Sequence, residues 1–220
     1  MTNFVLVHGA FRGPWAWDRV RGLLETHGHN VVASDLTDPA ATLTSYIETI
    51  VADVGQNEGD VVLVGHSQGG IFTRAATNIV ASQIERLVFL DAPDPHDGEK
   101  GFDFRPAGSP APEFAADHVI DPFPVRADEH LSEVDANWIN ARLVPQPVAP
   151  SMEPVRLDNP DARAVATTYA FFTETPPVFP CTITRQRLDE AELGYSLIEG
   201  PHDAIVSTPN AVAELLMSVS

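Results

Sequence analysis

Apolar residues along this chain follow two rhythms, short unbroken runs and stretches with a helical repeat, and the two alternate. That alternation predicts a mostly parallel sheet flanked by helices, an α/β fold of about six strands. Phe4 to Val7 reads as a buried strand, and Trp15 to His27 as a helix ending near Gly28. Val31 to Ala33 is the next strand. Leu43, Tyr46, Ile47, Ile50, Val51 and Val54 then recur at i, i+3, i+4, i+7, i+8 and i+11, which lines one face of a helix. Val61 to Val64 predicts a strand, Gly69 to Ala81 a helix, and Leu87 to Leu90 a further strand.

The rhythm then breaks. Residues 92–160 are rich in Pro, Asp and Ala, with Pro106, Pro110, Pro112, Pro122 and Pro124 close together. Proline fixes φ and removes a backbone donor, so this stretch is not expected to form a run of sheet strands. A long insertion of this kind in a compact domain is usually functional. It is read as a lid of short helices and loops on a single domain spanning 1–220, with Leu131 to Leu143 its best helical piece. The α/β rhythm resumes with strands at Thr167 to Thr173 and Tyr195 to Ile198. A last helix is expected to open at Thr208-Pro209, with Thr as N-cap and Pro at the first helical position.

Composition narrows the partners. A net charge of −18 repels nucleic-acid phosphates and anionic membranes, so neither is expected as a partner. One cysteine, Cys181, precludes an intrachain disulfide and fits a reducing compartment. No signal-like or membrane-spanning run is present, and a cytoplasmic location is the expectation. No metal-ligand spacing, P-loop or dinucleotide fingerprint is found, so no metal and no cofactor are expected. The sequence leaves a homodimer open.

Candidate chemistry gathers at strand ends. Gly65-His66-Ser67-Gln68-Gly69-Gly70 lies between a predicted strand and a predicted helix. G-x-S-x-G in that setting is a nucleophile elbow: a sharp turn lifts the serine hydroxyl above the sheet, and the flanking glycines avoid collision. The helix that follows aims its N-terminus at the reacting oxygen. His8-Gly9-Ala10 follows the first strand, beside the point where a doubly wound sheet reverses its order. The backbone N–H groups of Ala10 and Gln68 are the expected oxyanion donors. Gly200-Pro201-His202-Asp203 follows the last strand, which places His202 as general base for Ser67. His8, Gly9, Phe11, Trp15, His66 and Trp138 are assigned to the substrate pocket. The plainer alternatives are that His8 props its loop and that the tryptophans serve packing.

These segments, with Gly13-Pro14-Trp15-Ala16-Trp17 and His202-Asp203-Ala204, resemble the α/β-hydrolase superfamily. The similarity is to the branch of plant methyl-ester esterases, hydroxynitrile lyases and small bacterial esterases. It covers the chain up to about Asp91 and from about Pro160 onward. The resemblance implies a serine hydrolase acting on a small carboxylic ester through an acyl-enzyme.

The acid of the triad stays open. In that branch an Asp usually follows the penultimate strand, where this chain has Thr175; Glu174 beside it and Asp91, one strand earlier, are alternative acids. The lyases place a lysine after the histidine, where this chain has Asp203. A lyase, a C–C hydrolase or a non-catalytic small-molecule binder on the same scaffold are the competing readings.

Overall fold

A computed structural model describes residues 1–105, 108–109 and 113–220; Pro106, Pro110 and Pro112 of the proline-rich stretch lie outside the described residues. In chain order the elements are β1 (Asn3–Val7), α1 (Asp18–Thr26), β2 (Asn30–Ala33), α2 (Leu43–Gly55), β3 (Val61–His66), α3 (Gly69–Val80) and β4 (Ile84–Leu90). There follow β5 (Val119–Ile120), α4 (Glu133–Asn140), β6 (Gln146–Pro147), α5 (Ala149–Met152), α6 (Pro160–Ala164) and β7 (Ala166–Phe172). The chain ends with α7 (Cys181–Glu190), β8 (Ser196–Ile198), α8 (Ala204–Ser207) and α9 (Pro209–Ser218).

Six strands pair in parallel in the order β2-β1-β3-β4-β7-β8. Successive strand residues point to opposite faces, and two cores result. Phe4, Leu6, Val62, Val64, Val88 and Leu90 face Trp17 and the helices α1 and α9. Val5, Val7, Leu63, Leu87 and Phe89 face α2 and α3. Strands covered on both faces must be apolar throughout, which is why β1 and β3 read as unbroken runs rather than alternations. Ser45 completes a reciprocal cap with Thr42 at the start of α2, where Thr42 accepts from the Ser45 amide.

The order reverses between β1 and β3, as the sequence suggested. Their C-terminal ends therefore open a crevice where ligands of such sheets bind. All the loops treated below leave the sheet at that edge.

Three expectations need adjustment. The helix anticipated from Trp15 opens as a 3₁₀ turn over Pro14–Trp17 and becomes α-helical only at Asp18. The proline-rich stretch does contribute a ladder, β5 with β6, of two residues per strand. Pro147 is tolerated there because so short a ribbon leaves its missing donor unneeded. Thr208 does not cap α9 with its side chain: its hydroxyl donates to the carbonyl of Ala204, in the short helix that runs directly into α9. Pro209 does occupy the first turn.

Leu63 is fully buried on the central strand. Leu63→Ala is expected to lower stability by about 2–5 kcal/mol through lost burial and a residual cavity. Urea denaturation checks this: the midpoint should fall while the m-value stays constant.

Candidate active site

Ser67 follows β3 directly and has a left-handed backbone, φ 52°. A Cβ on Gly65 would lie 2.6 Å from Thr73 Oγ1 and 2.7 Å from Gly70 Cα. One on Gly69 would lie 2.7 Å from the Val7 carbonyl oxygen and 2.8 Å from that of His8. The turn thus closes with α3 folded tightly back on Gly65 and seated at Gly69 on the end of β1, with no room for a side chain on either flank of the serine.

His202, in the loop between β8 and α8, brings Nε2 to 2.9 Å from Ser67 Oγ. Its Nδ1 lies 2.5 Å from Asp91 Oδ2. Asp91 follows β4, has φ 50° and is 1% exposed. Its other oxygen accepts from the Phe172 amide, and Oδ2 also accepts from Thr175 Oγ1 at 2.5 Å. Burial works against the charged carboxyl, but the hydrogen bonds and charge of His202 and the hydroxyl of Thr175 outweigh it and hold Asp91 below the usual carboxylate range. An ionised carboxylate can only accept, so Nδ1 carries the proton and Nε2 is left to accept from the serine hydroxyl.

Glu174, the other candidate acid, is not brought to His202. Its carboxylate faces His130 at 3.3 Å, while its backbone N–H donates to the Gly200 carbonyl. Thr175 turns inward where Glu174 turns outward, and it is Thr175 that reaches Asp91.

His66 is buried beneath His202. Its Nε2 donates to the His202 carbonyl at 2.9 Å, and the two rings lie 4.8 Å apart. Burial, with the neighbouring His202 second, pushes its pKa down to about 3. His8 is equally enclosed: its Nε2 accepts from the Leu36 amide, and burial lowers its pKa to about 4. Both rings therefore stay neutral near pH 7. His8 props its loop, and His66 supports the loop of His202.

A cavity of about 450 Å³ opens above Ser67. Ala10, Phe11 and Gln68 line it, with Ile71, Phe102, Phe123, Val125 and Phe179 supplying much of its apolar wall. Among the described residues no acceptor takes up the backbone N–H of Ala10 or of Gln68. His8, Gly9, Trp15, His66 and Trp138 do not line it. Trp15 and Trp138 pack edge to face on each other, 5.2 Å apart, against the α1–α9 core.

Sequence reasoning also missed Arg12. Its Nε and Nη2 grip Asp203 through three contacts of 3.0–3.1 Å, tying the loop after β1 to the loop of His202. Nothing local marks Arg12; only the fold brings it to Asp203, far along the chain.

Residues 4–215 match the alpha/beta hydrolase family. The chain belongs to that family. Among relatives, this hydrolase is similar to a carbendazim hydrolyzing esterase of Nocardioides sp. (strain SG-4G), 29% identical over 100% of both chains. It is similar to methylesterase 7 of Arabidopsis thaliana, 37% identical over 41% of this chain and 39% of that one. It is also similar to an alpha-hydroxynitrile lyase of Arabidopsis thaliana, 41% identical over 41% of this chain and 39% of that one. The matches to these two plant relatives thus span about two fifths of their length. Among solved structures, polyneuridine aldehyde esterase superposes with a TM-score of 0.81 at 22% identity, over 100% of this chain and 99% of that one. A point mutant of tomato methylketone synthase I gives 0.80 at 21%, over 99% and 97%. At such identities the superpositions speak for the fold alone.

The buried histidines make stability depend on pH. Both folded-state values lie below the ordinary 6.5, so the unfolded chain binds protons that the folded chain does not. Stability should be full above about pH 6.5 and fall as the pH drops toward 5, by up to about 1.4 kcal/mol per pH unit for each histidine. Urea titrations at pH 7 and pH 5 measure this, and His8→Asn should flatten the dependence.

Proposed function

We propose that this hydrolase cleaves small, uncharged carboxylic esters through a covalent acyl-enzyme, with Ser67 as nucleophile, His202 as general base and Asp91 as the acid. The observation that carries this reading is the unbroken chain Ser67 Oγ–His202 Nε2, His202 Nδ1–Asp91 Oδ2, placed at the floor of a largely apolar cavity. Ser67 Oγ attacks the ester carbonyl as its proton passes to His202 Nε2. The developing oxyanion is taken up by the amides of Ala10 and Gln68. The imidazolium, steadied by Asp91, returns the proton to the leaving alcohol. Water then enters, His202 activates it, and the acyl group leaves Ser67.

The esterase names among the relatives support this reaction class. The chemistry uses no cofactor, and the surface charge of −18 supports a small-molecule partner rather than nucleic acid. A single, buried cysteine supports a cytoplasmic setting. Among the described residues no helix is long and apolar enough to cross a membrane. For cyanohydrin cleavage a cation beside the histidine would be wanted; here the residue after His202 is Asp203, and Arg12 neutralises it.

Hydrolysis of short-chain p-nitrophenyl esters tests the reading. Ser67→Ala should lose about a thousandfold or more in kcat, since nucleophile and base act as a unit. Asp91→Asn should lose on the order of 10²–10⁴ in kcat by releasing the wrong imidazole tautomer. Glu174→Gln should stay within about twofold, because its partner His130 is partly exposed and away from the reacting atoms. A loss in Glu174→Gln equal to that in Asp91→Asn would move the acid to Glu174.

A further inference from the structure

Arg12 stands out on the cavity wall. It lies two residues beyond Ala10, on the loop after β1, and its partner Asp203 directly follows His202. Both line the cavity, although their side chains are only 10% and 11% exposed. A guanidinium carries five N–H donors, one on Nε and two on each terminal nitrogen. Asp203 occupies Nε and Nη2. Nη1 has no acceptor among the described residues. A charged donor group held rigidly by its carboxylate, with one edge uncommitted, is the arrangement of a recognition group. A purely structural ion pair would spend those donors on the protein.

We propose that Arg12 is a specificity-determining residue: its Nη1 donates to a neutral hydrogen-bond acceptor on the substrate, outside the scissile ester group. This rests on the ester-hydrolase reading and narrows its substrate class. The preferred esters carry an ether, carbonyl or heteroaromatic acceptor close to the scissile centre, on an otherwise apolar body that fits walls such as Phe11, Phe102 and Phe179. Asp203 sets the polarity of that choice. With the guanidinium charge compensated at 3.0 Å, a substrate carboxylate would have to approach Asp203 as well, so a neutral acceptor is favoured over an anion.

Pairs of esters that differ only by oxygen in place of a methylene test this directly. One pair varies the acyl side, p-nitrophenyl methoxyacetate against p-nitrophenyl butanoate. The other varies the alcohol side, 2-methoxyethyl against n-butyl esters of one acid. The ratio of kcat/KM within a pair is compared between the wild type and Arg12→Met/Asp203→Leu, so intrinsic reactivity cancels. Removing both partners avoids leaving a buried charge unpaired. In at least one pair the oxygen-bearing ester should lose about tenfold relative to its isostere in the double variant, the expected value of a hydrogen bond to a charged group. Should the double variant fail to fold, Arg12→Lys keeps the charge, gives up Nη1 and is read in the same way. Ratios unchanged within about twofold in both pairs, against that expected tenfold, would overturn the assignment. Binding of the alcohol-side pair to Ser67→Ala, by calorimetry, separates the two readings. If wild type hydrolyses no ester, the ester reading fails. The Arg12 assignment then stands or falls on whether the 2-methoxyethyl ester binds more tightly than the n-butyl ester, and on whether Arg12→Lys abolishes that difference.

Discussion

Three neighbouring strands hand their chains to the active edge through residues in the left-handed region of backbone space. Phe11 lies in the turn after β1, Ser67 follows β3 and Asp91 follows β4, with φ of 61°, 52° and 50°. Each such residue costs roughly 1–3 kcal/mol and persists only where its surroundings over-determine it. Here the determination is the close seating of α3 on the end of β1, together with paired backbone groups. Ser67 N–H donates to the Leu90 carbonyl, and Asp91 N–H to that of Ala170. The parallel register of β1, β3, β4 and β7 supplies those partners at one level. The same parallel register, continued through β8, brings the loops of Ser67 and His202 to one edge, where the two side chains meet at 2.9 Å.

Beneath these groups lies a layer of polar residues, His8 and His66 buried and Thr175 half-buried, that does not itself face the cavity. His66 holds the carbonyl of His202, His8 holds the amide of Leu36, and Thr175 holds the carboxylate of Asp91. Each satisfies a backbone or side-chain group that burial would otherwise leave unpaired, and a buried unpaired group costs more than a made hydrogen bond returns. His66 and Thr175 thereby support the tautomer and orientation in which His202 Nε2 faces Ser67 Oγ.

The sheet was legible in the sequence because strands covered on both faces must be apolar throughout, and β1, β3 and β4 have few other ways to be read. The elbow was legible because the glycines at 65 and 69 answer a steric demand that no other residue meets. Which carboxylate meets His202 was not, since Asp91 and Glu174 both follow strands and both sit at workable chain distances from His202. Only the direction each side chain takes on leaving its strand separates them. The cavity wall was the least legible part. The tryptophans drew attention by size, yet Trp15 and Trp138 pack edge to face on each other against the core rather than in the cavity wall. Phe123 and Phe179 come instead from loops, and Phe102 from a single 3₁₀ turn, none with a periodicity that marks position in space. Arg12 and Asp203 meet across most of the chain, a pairing that spacing cannot reveal.

The segment between Asp91 and β7 begins and ends on adjacent strands, since Leu90 pairs with Ala170 in the sheet. Its two ends are therefore already closed by the ladder, whatever length of chain runs between them. For a flexible loop the entropy of closure grows only logarithmically, about 0.6 kcal/mol for each doubling of length. This stretch supplies Phe102, Phe123 and Val125 to the cavity wall, while Ser67 and His202 are carried elsewhere. Insertions and deletions within it can thus remodel what the enzyme accepts at little cost to the sheet. Apart from side chains such as Ile139 and Val155, which this stretch buries in the two cores, the scaffold separates a part of the chain free to vary from a part that must stay fixed, and the seam between them falls at Asp91.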